Sequence, residues 1–284
     1  MQPIVSIVYL TKNGGQLFQK SLDAVLSQKT DFPFEIIVVD SGSTDCTLKL
    51  VSQRNIGVYE IRPESFNFGL TRDYAFSLAN GQIILTLSQD VVPASNDWLQ
   101  LMIEPFNDPQ IAVVQGSDIA PLDVELFFWY SNRLFYYTRD TVKWNRDNDG
   151  IGLSFTSCAI RKSAWSDNRI GKADMNEDKV FQLKLKGKGF KLVLQPLAKT
   201  YHAHMYNVKE LANRCENEGM GWRCCYFDYT IIDMLIDMFN IKIISVLVAG
   251  VISGKVKRWA ELLFPVIRPF YLYKGNHYSI AYIK

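Results

Sequence analysis

Asp90 ends the run Gln82-Ile83-Ile84-Leu85-Thr86-Leu87-Ser88-Gln89-Asp90. An apolar run between a turn signal, here Asn80-Gly81, and a polar triplet reads as a strand buried on both faces. In an open α/β sheet, ligands sit beyond the carboxyl ends of such strands. Asp90 therefore stands where a hard cation or a polar ligand would be held; a turn or N-cap role is the alternative. Two earlier runs finish the same way. Ile4 to Leu10 ends at Thr11-Lys12-Asn13-Gly14-Gly15, and Phe34 to Val39 ends at Asp40-Ser41-Gly42-Ser43-Thr44-Asp45. Further along, Glu177-Asp178 opens a helix, an end that suits acidic side chains. Tyr201-His202-Ala203-His204 follows another apolar run.

The elements that must position these groups alternate. A helix after Gly15 carries Leu17, Phe18, Leu22, Val25 and Leu26 at helical spacing, and short helices are expected near 46–53 and 71–78. Val58 to Ile61 and Ile83 to Leu87 are the third and fourth strands. Such alternation implies a parallel sheet with right-handed crossovers, so the three polar clusters share one edge. That convergence argues for a nucleotide or polyanion site. Neither GxxxxGK[ST] nor GxGxxG follows the first strand, which excludes a P-loop or a dinucleotide fingerprint.

Strands are also expected at 111–115, 155–160 and 190–194, and a helix from Trp98 to Phe106. Residues 122–137 hold seven aromatic side chains and read as a buried helix or, alternatively, as an aromatic wall for a sugar or lipid-linked acceptor. Residues 141–150 read as a polar, mobile loop. From Ile232 to Gly250 apolar residues keep one helical face, with Asp233 and Asp237 off it.

Composition bounds the class. The 284 residues carry 48% hydrophobic side chains and a net charge of +2, enough for a sizeable core and without the concentrated basic face of a nucleic-acid binder. Five cysteines without CxxC spacing fit a reduced, cytoplasmic chain, and the N-terminus has no secretory pattern. The longest apolar run, Ile243 to Ile252, has 10 residues. A bilayer span needs about 20. A membrane-surface contact stays open, with Lys255, Lys257, Arg258, Arg268 and Lys274 following the run, although scattered charge of this kind usually forms a solvated face.

Six motifs, in order and covering roughly residues 4 to 225, resemble the inverting family 2 glycosyltransferases of GT-A fold, in their rhamnosyltransferase-like branch. They are Leu10 to Gly15, Val39 to Asp45, Phe66 to Asp73, Leu87 to Asp90, Asn176 to Asp178 and Tyr201 to His204. The resemblance implies an α/β fold with a mostly parallel sheet flanked by helices. It divides the chain into a catalytic domain, 1–206, and a helical extension, 207–284. It implies transfer of a sugar, L-rhamnose from dTDP-L-rhamnose as the leading choice, to a glycan or lipid-linked acceptor in surface polysaccharide synthesis. A UDP-hexose or UDP-N-acetylhexosamine donor, or a non-catalytic sugar-nucleotide-binding module, are the alternatives.

The resemblance also implies roles. Asp178 is the general base, with Glu177 orienting it or the acceptor. Thr11, Asn13, Asp40, Ser43, Arg72, Ser88, Gln89 and Asp90 contact the donor nucleotide. Asp90 and His202 hold Mg2+ or Mn2+, with His204, Arg214 and Arg223 as lesser candidates. Ser88 stands where the wider family usually has a first Asp, which leaves one carboxylate fewer for the metal. Phe68 and Asp73 stand where the branch often has His and Asn. The reaction is placed in the cytoplasm, at the inner face of the membrane if the helical extension touches lipid.

Overall fold

The computed structural model describes residues 2–54, 56–121 and 126–283. Along the chain the elements are β1 (Val5–Thr11), α1 (Gly15–Leu26), β2 (Phe34–Asp40), α2 (Thr47–Ser52), β3 (Val58–Glu60), α3 (Phe68–Ser77), β4 (Ile83–Leu87), β5 (Val92–Pro93), α4 (Trp98–Ile103) and β6 (Ile111–Ile119). They continue as α5 (Phe128–Ser131), α6 (Arg139–Asp147), β7 (Ser157–Arg161), α7 (Lys162–Ser166), α8 (Glu177–Lys186), β8 (Lys191–Tyr201), α9 (Val208–Cys224), α10 (Ile231–Met238), α11 (Ile241–Ile252) and α12 (Trp259–His277). The chain packs as two compact units. The first comprises residues 1–121, 153–173 and 178–202, and the second 122–152, 174–177 and 203–284. The last boundary between them falls at 202/203, where 206/207 was expected, and the second unit also takes in 122–152 and 174–177.

The first unit is one sheet in the order β3-β2-β1-β4-β7-β6-β8-β5. β1 pairs in parallel with β2 and β4, and β2 with β3. β7 runs antiparallel to both β4 and β6, while β6 and β8 are parallel. The carboxyl ends of β1, β2, β4, β6 and β8 therefore lie on one edge with the amino end of β7. Both faces of the sheet are covered, which is why its strands read as unbroken apolar runs. On β1, Val5, Ile7 and Tyr9 pack with Phe18, Leu22, Trp98 and Met102. Val8 packs on the other face with Phe76, Trp165, Phe181 and Leu185. A Leu or Ile buried this fully contributes about 1.5–3 kcal/mol.

Two strands outrun their apolar signal. Pairing of Ser117, Asp118 and Ile119 with Lys199, Thr200 and Tyr201 extends β6 and β8 past the expected stops at Gln115 and Leu194, after a register irregularity. The motif at Phe66 to Asp73 does structural work within the same unit. Asn67 caps α3 by accepting from Leu70 N at 3.1 Å and also accepts from Ala173 N at 3.1 Å. Asp73 accepts from Trp165 Nε1 at 2.8 Å and from the backbone of Ile170 and Gly171.

The second unit is helical. α9 opens on a capping box between Asn207 and Glu210. Gly219 on α9 and Gly275 on α12 let these helices approach closely; a Cβ on either would strike backbone of the other helix. Around them Phe127, Phe128, Trp129, Leu134, Ile243, Leu247 and Phe264 form a core, with Trp129 stacked on Phe264 at 3.8 Å. The aromatic stretch thus divides. Its four-residue helix α5 buries Phe128 and Trp129, while Tyr130, Tyr136 and Tyr137 are exposed. Its start, 122–125, lies outside the described residues.

Two expectations are corrected here. Residues 139–147 form a helix rather than a loop. Its first N–H, on Arg139, is taken by the Asp237 carboxylate at 2.9 and 3.0 Å, and Trp144 Nε1 donates to Ile151 O. The expected single helical face from Ile232 to Gly250 is two helices broken at Asn240, whose side chain caps α11. Asp233 and Asp237, read as off the packed face, are the packed face, 3% and 2% exposed.

Candidate active site

Every site described here belongs to the first unit unless stated. At the end of β2, Asp40 is fully buried. Its Oδ1 accepts from Gly42 N and Ser43 N at 2.9 and 2.7 Å. Its Oδ2 accepts from Thr11 Oγ1 and Ser43 Oγ at 2.7 and 2.6 Å. Four donors fill what a carboxylate can accept, so Asp40 organises the loop that joins the ends of β1 and β2. Asn13, at φ +50°, reaches across the same loop, its Oδ1 accepting from Thr44 N at 2.8 Å and its N–H donating to Ser43 Oγ. Gln89 ties β4 to β1 through both amide atoms, accepting from Lys12 N at 3.0 Å and donating to Lys12 O at 3.2 Å. These side chains read from the sequence as donor contacts build a rigid, polar rim.

Beyond β4, Asp90 Oδ2 lies 3.8 Å from His202 Nε2. The other ring nitrogen of His202 faces Asp118 Oδ2 at 3.4 Å. Burial opposes charge on this imidazole, but hydrogen bonds to Asp118 and Asp90 outweigh it and lift its pKa to about 9. Burial pushes Asp118 up, yet His202, Thr200 and Thr156 together hold it below the usual carboxylate range. Asp118 is the site residue that the sequence reading missed. Its signal was there only as a polar tail on an apolar strand, which the pairing with β8 extends.

The turn before β7 joins the two halves of the site. Thr156 O accepts from Ser88 N at 3.0 Å, two residues before Asp90, and Thr156 Oγ1 donates to Asp118 Oδ2 at 3.3 Å. Next to it, Phe155 N donates to Asp178 Oδ2 at 3.4 Å. Asp178 Oδ1 accepts from Lys179 N at 2.7 Å and has the Lys179 ammonium at 3.9 Å. Arg72 is buried: it donates to Thr86 Oγ1 at 2.7 Å, and its guanidinium lies 4.9 Å from the centre of the Phe155 ring. Phe155 and Thr156 thus link Asp178, Arg72, Asp118 and the strand that carries Asp90.

The remaining sequence-based candidates belong to the second unit. Glu177 is buried. The His204 ring lies 5.7 Å from that of Tyr206. Arg214 lines a cavity of about 200 Å³ with Tyr130, Tyr206 and Glu218. Arg223 donates to the carbonyls of Ser279 at 2.6 Å and Asn276 at 3.4 Å, which commits it to the end of the chain.

The chain can be set beside known proteins on this geometry. It is 28% identical over 229 residues to the O-antigen chain rhamnosyltransferase RfbN of Salmonella typhimurium, covering 78% of this chain and 73% of that one. It is 24% identical over 232 residues to the O-antigen chain rhamnosyltransferase WbaN of Salmonella anatum, with the same coverage, 78% and 73%. Among solved structures it superposes on the mannosyltransferase PcManGT from Pyrobaculum calidifontis, in complex with GDP-Man and Mn2+, with a TM-score of 0.61 at 15% identity, over 97% of this chain and 87% of that one. At that identity the likeness speaks for the fold, which is GT-A. The family model for glycosyl transferase family 2 matches residues 6–168. A match over more than half of the length decides the family: the chain belongs to glycosyl transferase family 2 and is a rhamnosyltransferase-like glycosyltransferase.

Proposed function

We propose that the protein transfers a sugar, with inversion, from a nucleoside diphosphate to an acceptor hydroxyl on the cytoplasmic side of the cell. The donor of choice is dTDP-L-rhamnose and the acceptor a glycan or lipid-linked saccharide of a surface polysaccharide. The two relatives named as O-antigen chain rhamnosyltransferases support that donor and acceptor class. The reading rests on one observation: the Asp90–His202 pair and Asp178 flank the same turn, Phe155-Thr156, on the sheet edge.

Asp178 is the general base. It takes the proton of the acceptor hydroxyl as that oxygen bonds the anomeric carbon, opposite the departing diphosphate. Among the described residues its Oδ2 is engaged only by a long 3.4 Å contact, which suits a group that must accept a proton. Glu177, adjacent in the chain, orients Asp178 or the acceptor. Thr11, Asn13, Asp40 and Ser43 line the base, and Arg72 holds the base edge or a phosphate. For Asp40 to accept a pyrimidine imide N–H, the hydroxyl of Thr11 or Ser43 must turn away from it.

Asp90 and His202 fit a divalent ion. Their facing atoms are 3.8 Å apart, within the span of two ligands that each stand about 2.1 Å from one ion. To ligate an ion His202 would give up its proton at Nε2, with Nδ1 still donating to Asp118. An imidazole with oxygen donors suits Mn2+ better than Mg2+. Such an ion would neutralise charge that builds on the leaving diphosphate. Ser88 and Gln89 hold the strand end that carries Asp90.

Calorimetry with dTDP-L-rhamnose and a panel of other nucleotide sugars, with and without Mn2+, tests this. Asp90→Ala is expected to lower Mn2+-dependent donor affinity by about tenfold or more. Unchanged affinity in that variant would remove Asp90 from the site.

A further inference from the structure

Helix α10 of the second unit is built inside out, and α11 is apolar on both its buried and its exposed faces. On α10, Asp233 and Asp237 stand one turn apart and face inward. Asp233 takes the ammonium of Lys143 at 2.5 Å, the guanidinium of Arg139 at 3.1 Å and the hydroxyl of Thr230 at 2.8 Å. Asp237 accepts from Tyr229 Oη at 2.6 Å and from Arg139 N. Water faces the opposite stripe, Ile231, Ile232, Leu235, Ile236 and Phe239, the last 71% exposed. On α11, Ile243 and Leu247 face the core while Ile241, Ile244, Val248 and Ile252 are exposed, Ile241 and Ile252 by 82% each. Leu235, Ile236, Phe239 and Ile241 share one depression at the elbow between the helices, so the two stripes are continuous. Apolar patches of this kind on a folded surface mark a binding face.

Charge indicates what covers it. Between Asp237 and Glu261 the chain has no carboxylate and carries Lys242, Lys255, Lys257 and Arg258. Lys242 lies in the elbow over the ring of Tyr137, and Lys255 and Lys257 are exposed in the loop after α11. Trp259, next in the chain, is 73% exposed. An apolar stripe on a segment that carries cations and no carboxylate, with an exposed Trp next in the chain, complements anionic headgroups over acyl chains.

The same features exclude a span. Residues Ile231–Ile252 are long and apolar enough to cross a bilayer by composition. They are broken at Asn240 into helices of 8 and 12 residues. At 1.5 Å per residue these reach about 12 and 18 Å, against a hydrocarbon core of about 30 Å. The ion pairs of Asp233 also fasten α10 to α6.

We propose that the exposed face of α10 and α11 docks the protein on an anionic phospholipid surface, with the apolar stripe lying at the headgroup–acyl boundary and Lys242, Lys255 and Lys257 on the phosphates. The docking is independent of which sugar is transferred. The test is flotation of the full chain, without nucleotide sugar, on vesicles of phosphatidylcholine alone or with 30% phosphatidylglycerol, so its failure leaves the transfer reading standing. The protein is expected to float with the anionic vesicles only. Lys255→Ser with Lys257→Ser should lower partitioning about 25-fold, at about fivefold per lysine. Phe239→Ser should lower it by about tenfold or more, with an unchanged circular dichroism spectrum because the side chain is exposed. Absence of flotation on anionic vesicles, equal flotation on neutral ones, or partitioning that these variants do not alter would overturn the proposal. So would a lipid-free dimer that Phe239→Ser dissociates, since the face would then be a protein interface.

Discussion

The two units dispose of charge in opposite ways. In the first, apolar side chains fill both faces of the sheet, and Asp90, Asp118 and His202 gather at one strand edge, each partly exposed. In the second, carboxylates and an arginine are packed inside while whole apolar stripes face outward: Asp140, Asp233, Asp237, Glu261 and Arg268 are all buried, and Phe239 and Ile241 are exposed. The difference teaches what each unit is shaped to meet. A polar edge over an apolar body receives a charged small molecule. A body with its charges neutralised inside and its hydrocarbon outside meets another apolar phase.

The comparison is broken most directly at Arg268. Its guanidinium pairs with Asp140 at 2.6 Å and with Glu218 at 2.8 and 3.0 Å, inside the second unit. Arg268→Met leaves the buried carboxylate of Asp140 without this ion-pair partner and is expected to cost about 3–5 kcal/mol in urea unfolding. A cost below about 1 kcal/mol would mean that these charges are solvated after all.

Next comes a matched pair of truncations. Leu85→Ala, in the centre of β4 and fully buried, should cost about 2–5 kcal/mol. Ile236→Ala, 45% exposed on α10, should stay within about 0.5 kcal/mol. Equal costs in denaturant titrations would erase the contrast between the units.

A smaller effect follows from Asp237. Burial, only partly offset by hydrogen bonds from Tyr229 and Arg139, raises its carboxyl to about 6. A carboxyl raised on folding binds its proton more tightly in the native state. Stability is therefore lost as pH climbs from the unfolded value, near 4, through about 6. Asp237→Asn keeps an acceptor and abolishes the titration. The melting temperature of the variant minus that of the parent should therefore rise between pH 4 and pH 7, by at most the equivalent of about 3 kcal/mol. A difference that is flat or falls with pH would show that the charged form is well accommodated.

Much of the first unit was legible in the sequence because β1, β2 and β4 are buried on both faces, and burial writes itself as unbroken apolar runs. Their polar ends then located Thr11, Asp40 and Asp90. Asp118 was not legible: β6 continues through Gln115-Gly116-Ser117-Asp118, residues with no apolar signal, held by pairing with β8. Asp40 was legible as the polar end of β2, but not the four donors that surround it, since these come from the fold of its own loop and from Thr11 on β1. In the second unit periodicity showed which residues of α10 share a face. It did not show which face turns inward, because that depends on Arg139, Lys143 and Tyr229, about 90 residues upstream for the first two.

The central claim is that Asp178 removes the acceptor proton at an edge that binds the donor independently of it. Donor affinity and transfer rate measured side by side for Asp178→Asn test this most directly. Donor binding is expected to stay within a few-fold of the parent while the transfer rate falls by about 100-fold or more. Near-full turnover in Asp178→Asn would contradict the assignment and with it the account of the site.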